Sequence, residues 1–195
     1  MSSTLRFLAV LVLLASCGGG RDMTSPRNLD DACELTRERP AYLRAMRDTE
    51  RRWNLPVPVQ MAIIHAESRF DGDARTPHRY ALGVIPMGRQ SSAYGYSQAL
   101  DGTWEEYQQS TRNRRATRDD IRDATDFIGW YARESLERNN IQPTDARNLY
   151  LAYHEGQSGY RNGSYRAKPW LTRVAGRVAD RAAMYDAQLR ACGRR

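Results

Sequence analysis

The acidic residue best placed for chemistry in this sequence is Glu67, in the stretch His65-Ala66-Glu67-Ser68-Arg69-Phe70. Acidic side chains are seldom buried without a partner, yet Glu67 ends an apolar run that predicts a buried helix. Desolvation disfavours the charged carboxylate there, and so does the negative end of the helix dipole. We therefore expect a raised pKa for Glu67, which is what a general acid working near neutral pH requires.

Two further stretches combine polar and aromatic side chains near the ends of predicted elements. Gly95-Tyr96-Ser97-Gln98 closes a long loop and precedes Asp101-Gly102-Thr103-Trp104, and Ala152-Tyr153-His154-Glu155-Gly156 ends another predicted helix. A glutamine amide donates and accepts hydrogen bonds, and a tyrosine carries a phenolic hydroxyl. Gln98 is thus a candidate for substrate contact or for bracing its loop, and Tyr153 is a candidate for a site residue or a core tyrosine.

Helices must position these stretches, because helical periodicity dominates the sequence from about residue 40. Residues 71–98 lack that periodicity and are rich in glycine and proline, which predicts a functional loop or a small sheet. A helix opens near Asp101, where Thr103 and Glu106 predict a capping box. The other predicted helices span about 40–54, 58–71, 118–139, 143–156 and 169–189.

The chain carries a formal net charge of +7, and almost all of its basic residues are arginines, since Lys168 is its one lysine. A basic surface is typical of proteins with anionic partners: nucleic acid, a membrane or an acidic cell-wall polymer. Composition does not separate these three. The arginines are scattered through helical segments rather than clustered with aromatic residues, which favours solvated helix faces over a nucleic-acid interface.

Residues 1–16 have the pattern of a secretory signal peptide. Arg6 precedes an uncharged run over 7–14 that is too short to span a bilayer comfortably. The sequence Leu14-Ala15-Ser16-Cys17 resembles the lipobox of bacterial lipoproteins, which implies cleavage before Cys17 and its lipidation. An ordinary signal peptide with an incidental cysteine is the alternative. Gly18, where an aspartate is associated with inner-membrane retention, favours an outer-membrane anchor facing the periplasm.

Lipidation would also explain the odd cysteine count. With Cys17 lipidated, Cys33 and Cys192 remain, and an oxidising compartment lets them form a disulfide. By the chain-entropy model such a bridge could stabilise the domain by up to about 4–5 kcal/mol. The alternative is two free thiols. We find no His/Cys cluster with metal-ligand spacing, so the sequence predicts no metal and no cofactor.

Taken in order, the three motifs resemble those of the lysozyme-like (SLT-type) lytic transglycosylases of bacterial cell walls. That family has a Glu-Ser pair, then Gly-x-x-Gln, then Ala-Tyr-Asn ahead of a glycine. The resemblance covers about residues 40–190 and implies a mainly α, lysozyme-like domain at 38–195 with a small irregular or β-containing region around 71–98. Residues 17–37 would be the lipidated cysteine and a linker. Two departures are His154 in place of the asparagine and a longer segment between the first two motifs, where Ser91 and Ser92 are candidates for the family's serine.

The resemblance implies a reaction on peptidoglycan in which the substrate supplies its own nucleophile. The N-acetyl group of N-acetylmuramic acid (MurNAc) assists departure of the leaving sugar, and the C6 hydroxyl then closes a 1,6-anhydro ring without water. A glycoside hydrolase normally needs a second carboxylate. Asp71 and Asp73 lie in a glycine-containing turn and Glu155 lies next to a helix-ending glycine, so Glu67 is predicted to be the lone acid/base.

The resemblance also indicates which residues bind substrate or support the site: Gln98, Tyr153, Ser68, Ser97, Tyr96 and His154. Ser68 is expected to brace the helix end, and His154 either binds glycan or replaces asparagine as a helix-end hydrogen bonder. His65 lies two positions before Glu67 and so faces another side of the helix. Three aromatic residues either line a glycan groove or pack under a loop: Tyr160, Tyr165 and Trp170.

The sequence therefore favours a lipid-anchored, monomeric lytic transglycosylase that cleaves the β-1,4 bond between MurNAc and N-acetylglucosamine (GlcNAc). One alternative is a lysozyme-type muramidase, in which water is the acceptor. Another is a non-catalytic, glycan-binding lipoprotein on the same fold. A role in nucleic-acid binding rests on pI alone, and the export signal argues against it.

Overall fold

The computed structural model describes residues 22–194, which form a mainly α-helical domain with one small hairpin. This confirms the predicted fold class and the β-containing region within 71–98. The predicted signal peptide and Cys17 lie outside the described residues. In chain order the elements are α1 (Ala32–Glu38), α2 (Pro40–Trp53), α3 (Val57–Ser68), β1 (His78–Ala81), β2 (Ile85–Arg89), α4 (Asp101–Ser110), α5 (Ile121–Asn139), α6 (Ala146–Asn162) and α7 (Pro169–Ala191), with a 3-10 turn at Ser164–Ala167.

Helix α3 is the central element of the core. All eight residues from Val57 to Ile64 are buried, and all but Gln60 are apolar, as expected of a helix surrounded by others. It packs mainly on α7 and also contacts α2, α5 and α6. Arg69 and Phe70 both adopt positive φ angles, which ends the helix directly after Glu67 and Ser68. The last turn of α3 therefore brings Glu67 from the core to its edge.

The two ends of the domain are joined by a disulfide between Cys33 and Cys192, the pairing that the cysteine count predicts. The residues are 159 positions apart, and a constraint over such a loop stabilises by up to about 5 kcal/mol in the chain-entropy model. Helix α1, capped by the Asp31 side chain, lies inside the segment predicted as a linker and packs on α2 and α7. The ordered domain thus begins before residue 38.

Strands β1 and β2 form an antiparallel hairpin in the long connection between α3 and α4. Its register pairs His78 with Arg89 and Ala81 with Ile85. After the hairpin, Tyr94 makes single bridges to Arg75 and to Ala99, so the connection folds back on itself before α4. Across residues 22–194, no helix combines the length and the apolarity that a membrane-spanning helix needs.

Two local predictions are wrong. Helix α4 begins at Asp101 with no side-chain cap at Leu100, so Thr103 already lies within the helix and forms no capping box. Helix α6 does not end at Gly156: that residue adopts φ 74° and ψ 163°, and helical turns then resume as far as Asn162. The segment after Gly156 is therefore a kinked continuation of the helix, and only its last part is a loop.

Candidate active site

The three sequence motifs meet at one cleft of about 530 Å³. Glu67 enters from the end of α3, Gln98 from the loop before α4, and Tyr153, His154 and Glu155 from α6. The remaining described residues on its walls are Thr76, Ala93, Ala99, Leu100, Thr103, Phe127, Tyr131 and Gly156. The fold therefore assembles acidic, amide and phenolic groups that are far apart in sequence.

A second groove, of about 570 Å³, lies between α3 and α7 on another side of the same helix. It contains His65, as the helix spacing predicts, together with Arg69, Arg177 and Arg181, but none of the three motifs. Burial and the nearby arginines lower the pKa of His65 to about 4. His65 does not line the cleft that contains Glu67, and the second groove has no acidic residue from the three motifs, so the first cleft is the candidate active site despite the similar volumes.

Glu67 has the environment of a proton donor. The residue keeps part of its surface open to the cleft, but its carboxyl group is surrounded by protein. This burial raises the pKa of Glu67 to about 7, while a hydrogen bond from the Tyr150 hydroxyl opposes the rise. The predicted direction of the pKa is confirmed, and desolvation is its main cause. Near neutral pH the group is balanced between donating and accepting a proton.

Tyr153 links α6 to the loop that carries Gln98. Its hydroxyl donates a 2.6 Å hydrogen bond to the Ser97 carbonyl oxygen, and its ring packs edge-on against Tyr131 at a centroid distance of 5.3 Å. Burial, with the charge of Glu67 next in importance, raises the pKa of Tyr153. The phenol of Tyr153 therefore stays protonated beside Glu67, and its hydrogen is used in the bond to the Ser97 carbonyl oxygen. Ser97 itself is buried, and its Oγ has no hydrogen-bond partner among residues 22–194.

Gln98 braces its loop from within. Its Nε2 donates to the carbonyl oxygens of Ala74 (3.0 Å) and Gly95 (2.8 Å). An amide nitrogen has two hydrogens, so both are used and the amide oxygen is the atom left for a ligand. Gly95 is required where this motif begins, because its φ is 75° and a Cβ there would lie 2.2 Å from the Arg118 carbonyl oxygen.

Ser68 and Tyr96 support the cleft from behind rather than line it. Ser68 Oγ donates to the Tyr96 carbonyl oxygen at 2.9 Å and lies 3.2 Å from that of Ile64, which fixes the end of α3 to the Gln98 loop. The Tyr96 hydroxyl lies 2.9 Å from the Tyr42 hydroxyl, on the far side of the loop. The bracing role predicted for Ser68 matches these contacts.

The two serines proposed for the longer connection do not reach the cleft wall. The Ser91 carbonyl oxygen accepts from Thr76 Oγ1 at 2.9 Å, and Ser92 Oγ accepts from the Asp101 N–H at 3.1 Å. Both serines are exposed and hold the base of the hairpin region together. The aliphatic hydroxyl groups among the residues that line the cleft belong instead to Thr76 and Thr103, which the motifs did not indicate.

A second carboxylate does line the cleft, and this corrects the sequence-based description of the site. Glu155 accepts from Lys168 Nζ at 2.7 Å and from Ser164 Oγ, and His154 Nδ1 lies 3.1 Å from it. The Lys168 and Ser164 hydrogen bonds, in that order, lower the pKa of Glu155 to about 2. Only 2% of its side chain is exposed. Because α6 kinks at Gly156, the chain that follows brings Ser164 and Lys168 back beside Glu155.

The remaining candidates divide between the cleft and its surroundings. His154 is exposed on the cleft wall, with its ring edge-on to Trp170 at 5.2 Å. Tyr160 and Tyr165 stack on each other at 5.5 Å away from the cleft lining, which favours packing over glycan contact. Asp71 Oδ1 accepts from the Asp73 N–H at 2.9 Å, as expected of a turn.

Tyr150 is the site residue that sequence reasoning missed. It lies one helical turn before Tyr153 on α6, and residues three apart share a helix face. That spacing was the available signal, but it is equally typical of core packing. Among residues 22–194, no group of three His, Cys, Asp or Glu side chains is arranged to hold a metal ion.

Comparison with known protein families gives a match over most of the chain. The family described as "Transglycosylase SLT domain" matches residues 5–192, which is nearly the whole chain. No curated protein matches the sequence at a significant level.

Proposed function

The chain belongs to the transglycosylase SLT domain family, whose members act as lytic transglycosylases on peptidoglycan, and from that premise we propose the bond and the residues involved. The substrate bond is the β-1,4 linkage between MurNAc and GlcNAc, and the product carries a 1,6-anhydro-MurNAc end. The observation that carries the proposal is Glu67, whose pKa is raised to about 7 at the edge of an aromatic-walled cleft.

In the first step Glu67 is the general acid. Its proton passes to the glycosidic oxygen, the bond from that oxygen to the MurNAc C1 breaks, and GlcNAc leaves with a free hydroxyl. The acetamido oxygen of MurNAc bonds to C1 and stabilises the positive charge that develops there. A proton donor needs a pKa near the working pH, and the buried carboxyl of Glu67 meets that requirement.

In the second step Glu67 is the general base. Its carboxylate accepts the proton of the MurNAc C6 hydroxyl while the C6 oxygen attacks C1 and displaces the acetamido oxygen. The enzyme regains its starting protonation state, and no water is consumed. The Tyr150 hydrogen bond stabilises the carboxylate between the steps, as a donor to a charged oxygen does.

The other cleft residues would hold the glycan rather than react with it. The amide oxygen of Gln98 can accept from a sugar hydroxyl or an acetamido N–H, because its nitrogen is occupied by the loop. Phe127 and Tyr131 supply apolar wall against which sugar rings can pack. His154 Nδ1–H donates to the Glu155 carboxylate, so its Nε2 can accept a hydrogen bond from a sugar group, which would allow it to replace the asparagine usual in the family.

A muramidase is the second candidate, and Glu155 is the observation that favours it, since it supplies a second carboxylate at the same cleft. A general base for water needs a pKa near the working pH. The Glu155 oxygens accept from Lys168, Ser164 and His154, the pKa of Glu155 is lowered to about 2, and this weak basicity supports the transglycosylase over the hydrolase. The raised pKa of Glu67 likewise supports catalysis over glycan binding alone.

We further propose that Cys17 is lipidated after cleavage of residues 1–16, and that the monomeric enzyme is anchored to the outer membrane facing the periplasm. The sequence Leu14-Ala15-Ser16-Cys17-Gly18 supports this. Intact mass of the protein purified from membranes tests it. A mature chain starting at Cys17 with attached acyl groups is expected, and an unmodified cysteine would disprove the anchor.

The test of the reaction is digestion of purified peptidoglycan followed by mass spectrometry of the products. Anhydro ends, lighter by one water than reducing ends, are expected from the native chain, and far fewer from Glu67→Gln in the same time. Reducing ends as the primary product would establish the hydrolase. Bound glycan with no cleavage would establish the non-catalytic alternative.

A further inference from the structure

The hairpin of β1 and β2 carries most of the large apolar side chains exposed on the described surface. Leu82 is 91% exposed and Val84 is 76% exposed. Three neighbours within residues 80–87 are at least half exposed: Tyr80, Ile85 and Met87. Apolar side chains that cluster on one exposed feature are typical of an interaction site. We therefore treat residues 80–87, the hairpin tip, as a candidate interaction site.

The backbone of the turn at the tip is also poorly suited to the residue that occupies it. Val84 N–H donates to the Ala81 carbonyl oxygen at 3.2 Å, and the two central residues, Leu82 and Gly83, have φ angles of 53° and 77°. Turns of this kind favour asparagine followed by glycine, because most side chains are disfavoured at positive φ. Leu82 therefore combines an unfavourable conformation with exposure of an apolar side chain, and neither stabilises the isolated domain.

The hairpin stands apart from the rest of the described domain. Among the described helices and strands, β1 and β2 pack on each other and on no other element. The base is held by Arg89 Nη1, which donates to the Thr76 carbonyl oxygen at 2.7 Å, and by Gln90 N–H, which donates to that of Pro77 at 3.0 Å. Since Thr76 also lines the cleft, the hairpin projects from the rim of the active site.

The charge around the tip is of one sign. From residue 74 to residue 100 the sequence has no aspartate or glutamate, but it has Arg75, Arg79 and Arg89. Arg79 precedes the tip in β1 and is exposed. Apolar side chains flanked by arginines match the boundary between the acyl chains and the headgroups of an anionic bilayer.

The N-terminal end of the described chain contacts the segment that leads from α3 into the hairpin. Gly72 N–H donates to the Met23 carbonyl oxygen at 2.8 Å, and Gly72 is six residues before His78. Asp22 follows Cys17 by five residues, a length that can span at most about 18 Å. A lipid on Cys17 would hold this side of the domain close to the bilayer.

We propose that the hairpin tip is a membrane-docking element: Leu82 and Val84 enter the interfacial region of an anionic phospholipid bilayer while Arg79 contacts lipid phosphates. The proposal rests in one step on the proposed function, namely the lipid anchor on Cys17. A bilayer suits the tip better than a folded protein partner, because a stable protein interface uses about 20–30 residues a side and this tip offers five apolar ones.

The test measures the depth of the tip in the full chain, reconstituted into vesicles of phosphatidylethanolamine and phosphatidylglycerol. With Cys17 lipidated and Cys33 bonded to Cys192, a Val84→Cys variant has one free thiol for an environment-sensitive fluorophore. Gln109→Cys, at an exposed position of α4, is the control. The label at 84 is expected to shift to shorter emission wavelength and to be quenched by lipids with a nitroxide near the headgroup, and the control label is not.

Two substitutions identify what drives insertion. Adding Leu82→Asn keeps a residue suited to the turn and should abolish most of the quenching at 84 while leaving turnover of soluble glycan unchanged. Arg79→Gln should weaken the tip's vesicle contact about fivefold at low salt, whereas Arg115→Gln, on the loop before α5, should not. Insertion that is equal in neutral vesicles would overturn the role of Arg79.

A label at 84 that stays in water beside the vesicles would overturn the proposal, and so would a label that is buried only when peptidoglycan is added. These outcomes are separate from failure of the proposed function. Product analysis on soluble glycan reports the reaction without a membrane, and intact mass reports lipidation of Cys17. If Cys17 proves unmodified and is blocked, the same label still reports whether the tip binds added vesicles.

Discussion

Two carboxylates lie on the walls of one cleft, and their surroundings shift their pKa values in opposite directions. Glu67 is enclosed at the end of an apolar helix, where burial raises its pKa to about 7. Glu155 lies under a thin cover of polar groups, where Lys168 and Ser164 lower its pKa to about 2. The same functional group is thus a proton donor in one place and a permanent anion in the other.

The difference shows why counting acidic residues does not identify the mechanism. A general base for water must be ionised and must also have a pKa near the working pH. Glu155 is ionised, but its pKa of about 2 makes it a weak proton acceptor, and Glu67 is protonated for about half the time near neutral pH. Such a cleft favours a reaction in which one carboxyl group both gives and takes the proton.

The largest expected effect is a difference in enzyme activity between variants of the two carboxylates. Glu67→Gln should lower turnover of peptidoglycan by about 10²–10⁴-fold, the range typical of a lost general acid. Glu155→Gln should lower it less than about tenfold, because it disturbs the cleft wall without removing the transferable proton. Release of soluble fragments measures both, and circular dichroism checks the fold. Equal losses in the two variants would contradict the distinction.

The second prediction concerns stability. The pKa of Glu67 is higher in the folded state (about 7) than its ordinary value of 4.5, so the wild type loses stability as pH rises between these values. A glutamine does not titrate. Glu67→Gln should therefore be more stable by up to about 3 kcal/mol above pH 7, and about equal near pH 4.

Glu155→Gln should behave in the opposite way. The folded pKa of Glu155 is about 2 against an ordinary 4.5, so its contribution is present above pH 4.5 and is lost as pH falls toward 2. The variant should be less stable than wild type above pH 4.5, with the gap closing in acid. Urea titrations at several pH values measure both variants. A Glu67→Gln gain that did not depend on pH would rule out ionisation as its source.

A third, smaller effect is expected at Tyr153. Its hydroxyl donates to the Ser97 carbonyl oxygen at 2.6 Å, so Tyr153→Phe leaves a buried acceptor unpaired. The variant should lose about 1–3 kcal/mol of stability and, through the loosened loop, some affinity for glycan. Thermal unfolding and KM measure the two consequences. An unchanged melting temperature would show that this bond does not secure the loop.

The smallest effect is expected at Tyr150, the matched residue one turn earlier. Its hydrogen bond to Glu67 stabilises the carboxylate, so Tyr150→Phe should raise the pKa of Glu67 further. The alkaline limit of activity should move upward by less than about one pH unit, with little loss of turnover at the optimum. A downward shift would mean that Tyr150 stabilises the protonated acid instead.

Much of this architecture could be predicted from the sequence, because its signals are local. The apolar run of α3 predicts a buried helix, and the position of Glu67 at its end predicts the raised pKa. The interruption of periodicity after residue 71 predicts the hairpin region. The cysteine count predicts the disulfide between Cys33 and Cys192 once Cys17 is set aside.

The contacts that could not be predicted are those between residues that only the three-dimensional path of the chain brings together. The partners of Glu155 lie up to 13 residues away, beyond a kink at Gly156 whose path a glycine permits but does not specify. The sequence therefore predicted a lone carboxylate, and the structure shows a second one that is engaged. The Tyr150 contact was missed for a related reason, because a tyrosine on a helix face packs or donates according to what faces it.

We propose that Glu67, and not Glu155, is the working acid/base, and the decisive measurement is the pH dependence of kcat/KM on a soluble glycan. The free enzyme's essential acid sets the alkaline limb of that profile. A limb centred near pH 7 is expected in the wild type, and the same limb is expected in Glu155→Gln. A wild-type profile that is flat through neutral pH, or a limb that disappears in Glu155→Gln, would contradict it.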